Sequence, residues 1–535
     1  MRRWIVLLLV LLAAWAGFRW LGGPPPVDDA DAPASVLRRG NGPEPESLDP
    51  HLARTDSAHT VVRDLFEGLT VLDAAARVQP GAAARWEVSD DGKTWTFELR
   101  EDGHWSDGSP VTAADFLYAF RRLVDPLTAS PYATFLESVV NVRGAATGAL
   151  PVTAIGVTAV GDRTLEISLD APTPHLLQLL AHPSASPVHR ASLDAHGDQY
   201  ARPGNLVSNG PFVLADWVVG SHVEARANPH FREAPGVAAV RYFHIVDESS
   251  ELQRFRAGEL DMTYTIPIAR YPWVRDNFPD ALRVAPYLGV YFYGFNTTRP
   301  PLDDHRVRRA LSLAVDRTLI TEKITGIGEI PACGLVPPGT AGYTPASLGF
   351  CDRPMEDRLD RARTLLAQAG YGPDHPLELE LRYNTGEFHQ RLAVAIAGMW
   401  KDHLAVETRL VNEEFRVLIA NIREKADTQV YRASWVGDYN DAATFLSILA
   451  ADSQINGTGF SDPAYDGLLA QAAREPDPER RQRLLRDAET LALESDALLP
   501  LYFYVSKRLV SPAVTGYEDN IMNVHASRYL AFGEG

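Results

Sequence analysis

Between Trp86 and Leu99 apolar side chains occupy alternate positions on both sides of Ser89-Asp90-Asp91-Gly92-Lys93: Trp86 and Val88 before it, Trp95, Phe97 and Leu99 after it. An Asp-Gly turn between two alternating runs predicts a β-hairpin. Thr112-Ala113-Ala114-Asp115 has the spacing of a capping box and opens a helix whose apolar face is Phe116, Phe120 and Leu123. Further strand-like runs lie at 152–160, 164–169, 211–218, 237–246, 289–295, 377–383 and 405–411. Helical periodicity appears at 302–325, 356–370, 387–404, 413–423 and 477–494. On the last of these, Arg480, Arg481, Arg483 and Arg486 read as a solvated face. No repeat of fixed period is present. A chain of 535 residues exceeds the roughly 250–300 at which one core stops growing, so the pattern predicts an α/β protein of more than one lobe.

The N-terminus carries a different pattern. Arg2 and Arg3 precede an apolar run from Trp4 to Phe18, with Arg19 and then Gly22-Gly23-Pro24-Pro25-Pro26 beyond it. Residues 1–23 read either as a signal peptide, with Ala14-Trp15-Ala16 as its cleavage site, or as an uncleaved anchor in which Arg19 snorkels. Both readings place the remainder outside the cytoplasm, free or tethered to the membrane by this segment. Residues 24–35 are a Pro/Gly/Asp-rich tether. In an oxidising compartment Cys333 and Cys351 are a candidate disulfide, with two free thiols as the alternative.

Composition removes several classes of function. With 45% hydrophobic and 22% charged residues the chain is ordinarily globular, which excludes wholesale disorder, collagen and a multi-span membrane protein. Lys plus Arg number 51 against 69 Asp plus Glu, a net charge of −18, with no basic cluster to hold phosphates, so nucleic acid is not an expected partner. There is no G-x-S-x-G elbow, no H-E-x-x-H helix, no Walker loop and no G-x-G-x-x-G after a strand. Asp438-Tyr439-Asn440-Asp441 has a faint calcium-loop look but lacks the glycine and distal glutamate such a loop requires. No metal, cofactor or catalytic residue is expected, and the chain does not read as an enzyme.

Seven strings occur in one order along the chain: Pro45-Glu46-Ser47-Leu48-Asp49-Pro50, Asp64-Leu65-Phe66-Glu67-Gly68-Leu69, Trp105-Ser106-Asp107-Gly108-Ser109-Pro110, Thr128-Ala129-Ser130-Pro131-Tyr132, Asn209-Gly210-Pro211-Phe212, Pro300-Pro301-Leu302-Asp303-Asp304-His305-Arg306, and Arg432-Ala433-Ser434-Trp435-Val436-Gly437-Asp438-Tyr439. From about residue 36 to the C-terminus this set resembles the extracytoplasmic peptide-binding receptors of ABC importers, the oligopeptide/dipeptide-binding solute-receptor family. Ser130-Pro131-Tyr132 and Arg432-Ala433-Ser434-Trp435 place it nearest the oligopeptide receptors. The resemblance implies a two-lobed periplasmic-binding-protein clamp of three domains. Domain I is discontinuous, over 36–66, 191–287 and 509–535; domain II, 67–190, is inserted in it; domain III, 288–508, is the opposing lobe. The chain is expected to cross between lobes near Tyr291–Asn296 and Tyr504, with Gly294 as a hinge.

The same resemblance implies a monomeric, non-enzymatic receptor. It captures short peptides and passes them to the permease subunits of an ABC importer in the inner membrane. A receptor for varied peptides holds what all peptides share, the backbone and the two end charges. Each end charge removed from water by lobe closure needs an opposite partner. Asp438 matches the ammonium partner, where a turn cap before Tyr439 is the plainer alternative. Arg432, Arg423 and His389 match the family's basic positions for the ligand carboxylate, with Lys323 a weaker match. The alternatives are surface ion pairs for the arginines and a helix cap for His389. Trp435, Phe415 and Tyr132 match walls of side-chain pockets, against the alternative of ordinary core aromatics. Arg54 stands where a Glu lines the cleft of the peptide receptors, Val436 replaces a Cys, and Ala442 a Pro. The Arg54 reversal points towards acidic or non-peptide ligands. Other readings kept in view are a receptor of this fold for a metal complex, haem, an opine or a sugar, an anchored sensor or chaperone-like protein, and a hydrolase with an unrecognised triad.

Overall fold

A computed structural model describes residues 35–425 and 428–533. The export segment and nearly all of the tether expected from the sequence lie outside these residues. Among the described residues no helix is long and apolar enough to cross a membrane.

The predicted hairpin forms. Strands Ala83–Val88 and Thr94–Leu99 pair antiparallel with Trp86 opposite Phe97, and the turn is tied by Gly92 N–H donating to the Ser89 carbonyl at 2.8 Å. Strands Thr164–Ser168 and Val157–Val160 extend it to a four-stranded sheet. The capping box closes as its spacing requires, the Thr112 N–H donating to the Asp115 carboxylate at 2.8 Å. The helix Ala113–Val124 that it opens buries Phe116, Phe120 and Leu123 on one side.

Two further large sheets and two short two-stranded ribbons, Thr70–Leu72 with Val78–Pro80 and Val514–Thr515 with Ala531–Phe532, complete the frame. Val36–Gly40 pairs parallel with Ala239–Phe243, and His222–Ala227 and Phe212–Val218 continue the sheet. The largest sheet has six strands in the order Ile330–Pro331, Leu498–Leu509, Leu282–Phe295, Val430–Val436, Glu378–Asn384 and Glu407–Glu413. Apolar side chains separate into two principal cores. One gathers Leu37, Val62, Phe97, Phe116 and Phe212; the other gathers Tyr291, Phe295, Trp400, Phe445 and Leu501. The long strand Leu282–Phe295 gives Leu288, Val290, Tyr291, Phe292 and Tyr293 to the second core, while Leu282 packs against a smaller cluster around Leu252 and Phe255. Its pairing with Leu498–Leu509 loses register between Pro286 and Val290. Such an interruption bends a ribbon and frees its ladder locally.

Much of the first core is closed by residues far apart in sequence. Glu67 receives hydrogen bonds from Arg232 at 2.7 Å and Arg528 at 2.9 Å, and all three are nearly buried. Asn209 exchanges two hydrogen bonds with the Glu67 backbone, at 3.0 and 2.8 Å. These contacts give two of the motif strings, Asp64–Leu69 and Asn209–Phe212, a structural reason.

The structure corrects four expectations. The helix expected over 302–325 is broken, because Asp304 caps His305–Leu313 and Asp316 then caps a new start at Arg317, accepting from the Leu319 N–H at 2.9 Å. Its last turn is wide, Gly326 N–H reaching the Thr321 carbonyl at 2.9 Å. The strand expected over 152–160 begins only at Val157, since Pro151 starts a tight turn closed by the Ala154 N–H at 2.9 Å. Gly294 is no hinge: it lies inside a strand paired on both edges, and a Cβ there would collide with the Tyr431 ring. Arg481 is not on a solvated face. It lies one turn before Leu485 on the helix Pro478–Glu494 and points inward with it.

Cys333 and Cys351 are joined as a disulfide, which decides between the two alternatives read from the sequence.

Candidate functional site

The helix Asp56–Leu65 carries one wall of a cavity between the two cores. Thr55 caps it, its hydroxyl accepting from Ala58 N–H at 3.3 Å, and Glu46 accepts from the Arg54 and Thr55 backbone N–H groups. Ala58, Val61, Val62 and Leu65 go to the core. The spacing i, i+3, i+4, i+7 therefore leaves Asp56, His59, Thr60 and Arg63 along the opposite stripe, where they line a cavity of about 290 Å³. Tyr132 lines the same space. Its backbone N–H donates to Ser130 Oγ at 3.1 Å, and Ser130 Oγ donates to the His51 carbonyl at 2.6 Å. Its ring lies 4.9 Å from His182 and 5.6 Å from His59. Burial holds both histidines neutral, His59 at a pKa of about 4 and His182 well below its ordinary value.

The other wall is the end of strand Val430–Val436. Gly437 N–H donates to the Leu288 carbonyl at 2.9 Å, and a Cβ at 437 would come within 2.7 Å of the Leu288 side chain. This close approach aims the next residue, Asp438, into the cavity. The three residues after it are tied down. Tyr439 stacks on His175 with centroids 4.4 Å apart, the Asn440 carbonyl accepts from Gln178 at 3.1 Å, and Asp441 takes two hydrogen bonds from Arg481 at 2.7 and 2.9 Å. Among the described residues the Asp438 carboxylate has no hydrogen-bond donor and no ion-pair partner, so it caps no turn. It is open to the cavity, yet the surrounding protein displaces enough water to raise its pKa, and no partner offsets that.

Of the other residues singled out from the sequence, Arg432 and His389 come together on Tyr291. The Arg432 guanidinium lies 4.8 Å from the Tyr291 ring centre, and His389 Nδ1 is 3.1 Å from the Tyr291 hydroxyl. Arg432 also donates to Asn384 at 3.2 Å and Ser434 at 3.3 Å, and has no carboxylate partner among the described residues. Burial and then the Arg432 charge lower the His389 pKa to about 4, so in this form His389 is neutral at pH 7. Trp435 is half-buried against the second core and donates to Thr444 at 3.2 Å. Phe415 is 51% exposed at the start of helix Phe415–Glu424, which is not how a core aromatic sits. Arg423 is exposed on the last turn of that helix and shares no contact with Arg432. Tyr132 and Asp438 thus meet at one cavity, Arg432 and His389 form a second cluster on Tyr291, and Arg423 and Phe415 stand apart on one helix.

The cavity also contains residues that sequence reasoning did not select: Arg39, Arg63, Tyr264, Tyr287 and Arg508. Arg63 alone left a local trace, through its helical spacing from Asp56, His59 and Thr60. The others reach the cavity from segments hundreds of residues apart. Among the described residues no group of three or more His, Cys, Asp or Glu is placed to hold a metal ion.

Comparison with known proteins gives one consistent result. The family model for bacterial extracellular solute-binding proteins, family 5 (middle region), matches residues 77–457. The periplasmic oligopeptide-binding protein OppA of Escherichia coli K12 is 39% identical over 521 residues, covering 96% of each chain. A structure of the murein tripeptide-binding protein MppA, in its unliganded open form, superposes with a TM-score of 0.86 at 40% identity, over 94% of this chain and 99% of that one. A second structure, of the Escherichia coli MppA, gives 0.76 at the same 40% identity and the same coverage.

Proposed function

The chain belongs to the bacterial extracellular solute-binding proteins of family 5, and on that premise we propose that Asp438 receives the N-terminal ammonium of a peptide held between the two cores. The protein is a periplasmic solute receptor, not an enzyme; it captures peptides and delivers them to an ABC importer. The observation that carries the Asp438 assignment is a carboxylate facing the interlobe cavity with raised pKa and no partner among the described residues, while its neighbour Asp441 is fully committed. A peptide ammonium supplies the missing charge, through charge-assisted hydrogen bonds worth about 1.5–3 kcal/mol each.

Arg432, Arg423 and His389 are proposed to take the ligand carboxylate. Arg432 and His389 already stand together with no ion-pair partner among the described residues, and a carboxylate arriving there favours a protonated His389. Trp435, Phe415 and Tyr132 are proposed as pocket walls, supported by an exposed Phe415 and by a Tyr132 that lines the cavity. Domain limits of 36–66, 191–287 and 509–535, of 67–190, and of 288–508 are supported by the three large sheets, whose strands fall largely within those segments. The exported chain is proposed to act as a monomer, with residues 1–23 serving as signal peptide or anchor. N-terminal sequencing distinguishes the two: a start near Gly17 means release, an intact Met1 means a tether.

Mass spectrometry of whatever co-purifies with the natively exported protein tests the reading. Short peptides with free N-termini are expected. A haem, metal complex, sugar or opine in their place overturns it.

A further inference from the structure

The charges around Asp438 have a sign of their own. The cavity is lined by four arginines, Arg39, Arg54, Arg63 and Arg508, against two carboxylates, Asp56 and Asp438. The chain as a whole carries −18, so this cationic excess runs against the composition. None of the four arginines has an ion-pair partner among the described residues. Arg39 donates to the His525 carbonyl at 2.8 Å and the Ser527 hydroxyl at 2.6 Å, and Arg508 to the Asn523 side chain at 2.5 Å, all neutral acceptors. The Arg54 and Arg63 guanidinium groups make no hydrogen bond among the described residues. The Nε atoms of Arg63 and Arg508 are buried with no acceptor. Burial pushes the pKa of both downward; Asp56 and Asp64 offset only part of this at Arg63, and at Arg508 the field of nearby Arg39 adds to it. A desolvated guanidinium without a paired counter-ion is costly, and an anion entering the cavity would relieve that cost.

That anion is not the ligand's C-terminal carboxylate, which the proposed function places at the separate Arg432–His389 cluster. It sits close to the ammonium instead, because Arg63, Asp438 and Tyr132 line one small space. Resting on the peptide reading above, we infer that the receptor selects peptides bearing an acidic side chain on their first or second residue. Asp438 takes the ammonium, while Arg63 and Arg54, from the wall opposite, take the side-chain carboxylate. An acidic residue there fills the vacant acceptor positions, whereas a basic one adds a fifth cation.

Calorimetric titration of the full chain with Glu-Ala-Ala, Ala-Glu-Ala, Gln-Ala-Ala and Lys-Ala-Ala tests this. The better of the two Glu peptides is expected to bind at least about tenfold tighter than Gln-Ala-Ala, with Lys-Ala-Ala weakest. The ratio of Gln to Glu dissociation constants is expected to fall towards one in Arg63→Gln, and to fall part of the way in Arg54→Gln, an exposed position that keeps the test open if the first variant does not fold. Equal binding of the Glu and Gln peptides overturns the acidic preference and leaves the peptide receptor standing. Binding of none of the four, while a non-peptide ligand is retained, overturns both.

Discussion

Arg481 holds Asp441 with two hydrogen bonds of 2.7 and 2.9 Å in a nearly buried ion pair, three residues beyond a carboxylate that holds nothing. Asp438 and Asp441 share a side chain and a loop, yet their surroundings give them opposite work. Removing one partner of a buried pair typically costs about 3–5 kcal/mol. Asp441→Ala is therefore expected to lower the midpoint of thermal unfolding strongly. Asp438→Asn is expected to leave the unliganded midpoint at pH 7 unchanged or slightly higher, because the raised pKa of Asp438 means its charge opposes folding above the unfolded value. Equal losses in the two variants would remove the distinction between a structural and a waiting carboxylate.

Glu67 sets an acid limit on stability. Burial pushes its pKa up, but Arg528 and Arg232 outweigh burial and hold it below its ordinary 4.5. A group with a depressed folded pKa contributes stability above its unfolded pKa and loses it as pH falls through the folded one. Wild type is expected to lose stability as pH drops below about 4.5, and Glu67→Gln is expected to be less stable at pH 7 with a flatter acid limb. Unfolding midpoints between pH 7 and pH 3 check both.

The disulfide Cys333–Cys351 spans a sequence separation of 18. Chain-entropy estimates for a loop of that size come to about 3 kcal/mol. Cys333→Ala with Cys351→Ala is expected to lower the thermal midpoint by several degrees, and unreduced wild type unfolded in denaturant is expected to have no titratable thiol. Two reactive thiols would contradict the bond.

The cavity-facing acid was legible in the sequence because it sits in a dense string, Arg432 to Tyr439, matching a family pattern. The hairpin at Asp91-Gly92 and the helix 387–404 were legible because turn chemistry and periodicity are local. What escaped was set by distance or by conflicting local cues. Leu498–Leu509 is a continuous apolar run interrupted by Pro500, without the alternation that marks a strand, because its first two-thirds are buried on both faces. Arg481 looked like its exposed neighbours Arg480 and Arg483, although its spacing from Leu485, Ala488 and Ala492 puts it on the buried stripe. The arginines around Asp438 come from residues 39, 54, 63 and 508, and only the folded chain brings them together.

The most direct measurement compares two ligands on two proteins: a tripeptide with a free N-terminus and its N-acetylated form, titrated into wild type and Asp438→Asn. Loss of a charge-assisted contact predicts that the variant binds the free peptide roughly 10- to 150-fold more weakly, while its affinity for the acetylated peptide stays within about threefold of wild type. Equal weakening of both peptides, or of neither, would contradict a role for Asp438 as the ammonium's partner.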